Sequence, residues 1–373
     1  MQMSWINEIG SEFWLDSAIS EYFDEYLDNY DVYKGEIPAW ISKFGNAALT
    51  SSGRGAISLL LKEIEAREKV ALLPAYICES VIMPFIKSGY KCCFYEINTD
   101  LTPNHDSIAD FENIGIFVHM GYYGYPTNYS LQDIIKHFKQ KSVIIVEDIT
   151  HTLFSDYQRF EENDYYVASL RKWMGLPGGG FLASPKKEIK NLPSCNDTFA
   201  KMRKEALTLK ARYIIGKEKN LKPKYLELFS KSEELLSNDY EPYCMDNLSK
   251  ALINKLDTHW LKEKRCANFS TLSNGMKYVN YIEPVFSSLS PDVCPMFYPV
   301  YIKNMRDIVQ QILIRNKIYC PIHWPVPKQL EIDKYKSTSH IYKEILSIPC
   351  DQRYDRSDME RVMSALMNIE GGY

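Results

Sequence analysis

The sequence predicts an α/β fold: a mostly parallel central sheet with helices on both faces, followed by a smaller C-terminal α+β domain. Two observations carry this reading. Short apolar runs such as Val70–Pro74, Ile114–His119 and Val143–Val146 alternate with helical patterns from residue 46 to residue 184, the order that gives parallel strands. From Met296 onward a shorter strand–helix–strand–helix order follows. We expect an N-terminal arm over 1–40, a large α/β domain over 41–245 and a small domain over 246–373.

The arm is rich in acids and aromatics (FWLDSAISEYFDEYLDNYDVY). It reads either as a lid or as a segment packed on the body by its tyrosines. In 46–66, Ser51, Ser52 and Gly53 form a turn, and Ile57, Leu60, Leu61 and Ile64 mark one helix face. A Ser/Gly turn that opens a helix presents free N–H groups and the positive dipole end, hence an anion site. Arg54 either adds a charge there or points into solvent.

Strands follow at Val70–Pro74 and Cys92–Ile97, with a helix between them over 76–90. Ile114–His119 is a strand ending in HMGYYGYP, where Tyr122, Tyr123 and Tyr125 either line a pocket or pack over the loop. Leu131–Phe138 is an amphipathic crossover helix. Residues 185–245 are basic and helical in pattern. Met245–Phe269 reads as one long helix with Leu248, Leu252, Leu256 and Trp260 at spacing four. Met296–Ile302 reads as a strand, Arg306–Arg315 as a helix and Lys317–Pro321 as a short strand. Ser357 with Glu360 gives a capping box for the last helix.

The chain has 373 residues, enough for about two domains. With 45% hydrophobic and 25% charged residues it can bury an ordinary core. A net charge of −4 argues against nucleic acid or an anionic membrane as main partner. No apolar run approaches the ~18 residues of a membrane helix, and the acidic start MQMSWINEIGSEFWLD is no signal peptide. Nine cysteines lie scattered, without zinc spacing; buried, reduced thiols in a cytoplasmic protein are expected.

Chemistry concentrates between Val143 and Ser184. The first strand there ends in Glu147 and Asp148, with His151 three residues on; the second, Tyr165–Leu170, leads to Lys172. Pro177 and Gly178–Gly180 then force a turn. Strand ends of a parallel sheet are where ligands bind. A lysine can form a Schiff base with a carbonyl cofactor, and pyridoxal phosphate also needs a carboxylate for its pyridinium nitrogen. Asp148 suits the carboxylate, Lys172 the Schiff-base amine and Ser169 a phosphate contact. Burial would lower the lysine's pKa and suit it as a base.

D-x-x-H (148–151) followed by S-x-x-K (169–172) resembles the fold-type I pyridoxal-phosphate enzymes, and within them the DegT/DnrJ/StrS-type sugar aminotransferases. LTSSGRGAISLLL (49–61), VHMGYYGYP (118–126), PIHWPVP (321–327) and YKEILSIPCDQRY (342–354) extend the resemblance, in the family's order, over roughly 40–370. It implies a pyridoxal 5'-phosphate aminotransferase of a keto-sugar, nucleotide-linked, with an amino-acid donor, acting in sugar or polysaccharide biosynthesis as a homodimer. It implies that Ser52, Gly53 and Arg54 hold phosphate, with arginine where the family has threonine. His151 would lie over the cofactor ring or bond its oxygen, unless it caps a loop. Cys78 stands near where the family stacks an aromatic on the ring, so Tyr76 or the pair Tyr122–Tyr123 would take over, or the thiol flanks the ring. Tyr122 and His323 are the candidate substrate contacts; a structural role for His323 is the alternative. The family's G-x-N-x-R-M loop to the partner subunit is missing, and Asp239–Asp246 stands in its approximate place. Two other readings stay open. One is a different pyridoxal-phosphate reaction, on a non-sugar substrate or as sugar dehydration, although dehydration in the family goes with histidine in place of the lysine and Lys172 argues against it. The other is a non-catalytic binding or regulatory protein that retains only the fold. No metal site is expected.

Overall fold

A computed structural model describes residues 8–15, 36–109 and 111–370. The tyrosines expected to pack the N-terminal arm, Tyr22, Tyr26, Tyr30 and Tyr33, fall outside the described residues.

Twelve strands are described: β1 Ile9–Gly10, β2 Asn46–Thr50, β3 Val70–Pro74, β4 Lys91–Tyr95, β5 Ile116–His119, β6 Ile144–Asp148, β7 Tyr165–Ser169, β8 Gly180–Ser184, β9 Glu283–Pro284, β10 Tyr298–Tyr301, β11 Ile318–Tyr319 and β12 Ile345–Ile348. Seven of them form the central sheet in the order β2-β8-β7-β6-β5-β3-β4. Neighbours from β7 to β4 pair in parallel, and β8 alone runs against its neighbours. The sheet is mostly parallel because its strands, such as Leu72, Phe117, Ile145 and Val146, are buried and crossover segments separate them. The register sets Asp148 of β6 beside Val167 of β7. The carboxyl ends of those strands therefore open at one edge of the sheet.

Helix α1 (Gly53–Glu63) follows β2 directly and packs on β7 and β8. Ser52 is its N-cap, its Oγ accepting the Gly55 N–H at 3.0 Å. Two long helices, α2 (Thr198–Ile214) and α3 (Lys222–Asn238), pair with each other. Together they bury Ala206, Leu207, Tyr225 and Phe229 against Leu15 of the N-terminal stretch.

The C-terminal part holds the antiparallel sheet β12-β10-β9 and its own core of Phe269, Val300, Leu313 and Val362. The short β1 pairs in parallel with β11, so the first described residues dock on the C-terminal part. Residues 11–13 then run past the central cleft. Arg353 donates to the Glu12 carbonyl at 3.0 Å, and Lys210 bonds the same carbonyl.

Three expectations are corrected. The predicted long helix is two, α4 (Asn247–Asn254) and α5 (Thr258–Met276). Asp246 and Asp257 each cap one, accepting the N–H groups of Ser249 and Trp260. The leucine spacing runs through a break that the second aspartate imposes, and Trp260 is exposed. The last helix, α6 (Arg356–Glu370), is capped by Asp355 rather than Ser357. The Asp355 carboxylate accepts both the N–H and the hydroxyl of Ser357, at 2.8 and 2.6 Å, because the helix starts two residues earlier than the Ser–Glu spacing suggests. The cysteines are all thiols, but only Cys294, Cys320 and Cys350 are buried, and Cys195 is exposed. Among the described residues no helix is long and apolar enough to cross a membrane.

Candidate active site

One cleft lies at the carboxyl ends of β6 and β7. Ser52, Gly53, Arg54, Cys78, Asp148, His151, Ser169 and Lys172 all line it, with Thr150, Arg171, Glu12, Glu233 and Trp324, around about 230 Å³ of open space.

Asp148 is buried at the end of β6. Burial pushes its carboxyl above the usual range, while the Thr150 hydroxyl and N–H pull it down; the N–H bond is 2.9 Å. Thr150 also accepts the Ser169 N–H, at 3.0 Å. The threonine thus ties the end of β6 to the end of β7. A carboxylate so placed is stabilised by any cation that reaches it, and a protonated ring nitrogen is such a cation.

The Ser52–Gly53 turn faces Ser169 across the cleft wall. A Cβ on Gly53 would sit 2.9 Å from the Ser169 Cβ, and one on Gly180 would sit 2.4 Å from the Ser52 carbonyl. Glycine at both places lets three segments close into a cradle. The N–H groups of Gly53 and Arg54, in the first turn of α1, have no acceptor within the helix. With the Ser169 hydroxyl they make a donor set that suits a phosphate. The residues present therefore fit pyridoxal 5'-phosphate: a carboxylate at one end, an anion cradle at the other, and an amine.

That amine, Lys172, ends a single 3-10 turn, Leu170–Lys172, directly after β7. It is exposed rather than buried, which corrects the expectation of a desolvated lysine. The 3-10 turn carries it out of the sheet layer. It lines both this cleft and the neighbouring one, which contains His323, Arg265 and Arg353.

His151 is buried against Trp324, with ring centres 5.3 Å apart and planes at 36°. Its Nδ1 accepts the Tyr123 N–H at 3.3 Å, which leaves Nε2 as the protonated nitrogen. Burial first, and then Lys172, lower its pKa to about 3, so the ring is neutral. His323 is also buried and neutral, well below its ordinary pKa, by burial and then by His151 and Lys172. Its Nδ1 bonds the Ser347 hydroxyl at 2.8 Å.

Tyr76 and Tyr122 stand apart from the cleft. Both are buried. The Tyr76 hydroxyl lies 3.0 Å from that of Tyr123 and donates to the His323 carbonyl. The Tyr122 hydroxyl donates to the Tyr76 carbonyl at 2.6 Å. These tyrosines brace the PIHWPVP segment from behind. Of the aromatics near Cys78, Trp324 lines the cleft. Sequence reasoning missed Trp324, although it follows His323, and missed Thr150, whose place two after Asp148 is an Asx-turn signal. Glu12 and Glu233 carry no local signal; only folding brings them to the lysine.

No protein-family model matches the sequence, and no curated protein matches it. Solved structures do. Helicobacter pylori PseC, an aminotransferase of pseudoaminic acid biosynthesis, is similar with TM-score 0.73 and 16% identity, over 99% of this chain and 100% of that one. The putative sugar aminotransferase Spr1654 of Streptococcus pneumoniae, in its PMP-form, gives 0.71 and 14%, over 98% of each chain. The aminotransferase TlmJ of Streptoalloteichus hindustanus gives 0.68 and 15%, over 99% of each. Over its described residues the chain has the fold-type I architecture that these aminotransferases share.

Proposed function

We propose that this chain is a pyridoxal-phosphate-dependent aminotransferase that transfers an amino group to a keto-sugar, nucleotide-linked, from an amino-acid donor. The observation that carries the reading is the convergence of Lys172, Asp148 and the Ser52–Gly53–Ser169 cradle on one cleft, in a fold shared with sugar aminotransferases. Spr1654 is known in both PLP- and PMP-forms, the two states an amino carrier must visit.

Bound pyridoxal phosphate would supply the electron sink. The chain's own residues supply the rest. Asp148 holds the proton on the ring nitrogen. Gly53 and Arg54 N–H groups and the Ser169 hydroxyl bind the phosphate. The neutral His151 orients the ring through Nε2–H. The Lys172 amine would hold the cofactor's carbonyl carbon and, when free, would move protons at the reacting carbon. Trp324 and Cys78 flank the cleft and restrict water.

A homodimer, with the division into domains at about residues 40 and 245 and action in the cytoplasm, completes the proposal. It rests on the resemblance and, for the compartment, on the unpaired thiols. Incubating the purified protein with pyridoxal phosphate, then glutamate, then keto-sugar nucleotides tests it. The reading predicts a yellow protein that glutamate bleaches and a keto-sugar restores. A protein that stays colourless with the cofactor refutes it.

A further inference from the structure

On the cradle side of the cleft, three guanidinium groups gather around one carboxylate. Arg171 Nη1 lies 2.8 Å from Glu233 Oε1, Arg203 Nη1 lies 3.1 Å from the same oxygen, and Arg54 Nη2 lies 3.7 Å from Oε2. Arg203 also reaches Glu12, at 3.0 Å. With Lys172 the cluster holds four cations against two carboxylates. It is built rather than incidental. Arg203 is 98% enclosed, its side chain being 2% exposed, and packs its guanidinium 5.0 Å from the Phe229 ring. Arg171 packs 5.0 Å from Phe199. The Nε groups of Arg171 and Arg203 are enclosed and without a hydrogen-bond partner among the described residues. Burial pushes the Glu233 carboxyl up, but Arg171, Arg203 and Arg54 together pull it down to about 2, so Glu233 is ionised; with Glu12 it still leaves positive charge in excess.

Position gives the excess charge a direction. Arg171 and Arg54 line the cleft. Arg171 stands two residues after Ser169, and Arg54 directly follows Gly53. Both therefore flank the Ser52–Gly53–Ser169 cradle, whose own donors are uncharged. N–H and hydroxyl groups give an anion shape and hydrogen bonds; guanidinium groups balance its charge.

We propose that Arg171 and Arg54, positioned by Glu233 and backed by Arg203, are the charged half of a phosphoryl site of which the Ser52–Gly53 turn and Ser169 are the neutral half. The counter-charge for a phosphate dianion then comes from this chain's own arginines on α1, α2 and the 3-10 turn after β7, held by Glu233 of α3, and needs no residue of a partner subunit. The inference deepens the proposed function and rests on it for the cofactor. The same phosphoryl chemistry is carried by the cofactor's 5'-phosphate and by the diphosphate of a nucleotide-linked acceptor.

Affinities for pyridoxal 5'-phosphate, pyridoxal and uridine diphosphate, measured by tryptophan fluorescence and equilibrium dialysis, separate these sources. The proteins are the full-length chain and its Arg171→Gln, Arg54→Gln and Glu233→Gln variants. A lost charge-assisted bond of ~1.5–3 kcal/mol corresponds to roughly 10- to 150-fold. Arg171→Gln should weaken pyridoxal 5'-phosphate by about that factor and leave pyridoxal unchanged; Glu233→Gln should tighten it. Weakened uridine diphosphate with unchanged cofactor also supports the site, with the acceptor as its ligand. If Arg171→Gln and Arg54→Gln, each folded by near-ultraviolet circular dichroism, leave all three affinities unchanged, the inference is overturned. If wild-type protein binds neither pyridoxal compound, the functional reading fails instead, and the uridine diphosphate arm still tests the anion site.

Discussion

Replacing Asp148 by asparagine separates what the carboxylate does for the cofactor from what it costs the fold. The substitution keeps the shape and keeps an Oδ1 to accept the Thr150 N–H, now 2.9 Å away. It removes the charge. A carboxylate and a ring cation ~4 Å apart attract by about 4 kcal/mol at an effective dielectric near 20, before desolvation. Hydrogen bonds to charged groups retain ~1.5–3 kcal/mol net. We therefore expect cofactor-dependent turnover to fall roughly 10- to 150-fold, at ~1.36 kcal/mol per tenfold. The cofactor-free protein should respond the other way. Burial raises the Asp148 pKa in the folded state. Its contribution to stability is therefore full below the unfolded value and is lost as pH rises through the folded one. Above its raised folded pKa the ionised side chain weighs against the fold, and there Asp148→Asn should raise the melting temperature of the cofactor-free protein. Half-reaction kinetics with glutamate and calorimetry of the apo-protein measure the two arms. Near-wild-type turnover, or an apo-protein that melts lower than wild type, refutes the assignment.

Lys172→Ala should abolish turnover and leave thermal unfolding within a few degrees of wild type, because the side chain is exposed; a variant that transaminates at even a few per cent of wild type contradicts its role. Ser169→Ala should weaken cofactor affinity roughly tenfold, as a lost hydrogen bond to a charged group does, and change the chemical step little; unchanged affinity places the phosphate elsewhere. His151 is held neutral, with a folded pKa of about 3, so its stabilisation is present above the unfolded value near 6.5 and is lost as pH falls towards 3. Urea denaturation at pH 7.5 and 5 should show that loss, and His151→Asn should shrink it; an unaltered slope sinks the argument. Sedimentation at micromolar concentration should give a dimer, and a monomer that turns over at full rate would overturn the assembly proposal.

The parts of the fold legible in the sequence are those set by local pattern. Val70–Pro74 and Arg306–Arg315 appear with the expected bounds because a buried apolar run and a helical period each leave little choice. Ser52, Asp148, Ser169 and Lys172 were legible as a group because strand ends and a glycine turn flank them. What was not legible depends on long-range contacts or on competing local signals. The Arg171–Glu233 pair spans 62 residues, and nothing near either residue announces the other. The capping aspartate Asp257 outvotes the leucine spacing that runs through it. Tyr76 and Tyr122 read as pocket residues by type, yet their hydroxyls bond one another's neighbourhood and face the core. The exposure of Lys172 follows from the 3-10 turn after β7, which a strand pattern running to Leu170 does not reveal.

The central claim is that Lys172 carries pyridoxal phosphate in the cleft closed by Asp148 and the Ser52–Gly53 turn. Borohydride reduction of the cofactor-loaded protein, followed by proteolysis and mass mapping, tests it in one step. A pyridoxyl group is expected on Lys172 alone, in stoichiometric yield, and none after glutamate has bleached the protein. A pyridoxyl group on a different lysine, or no labelled peptide from a loaded protein, would contradict it.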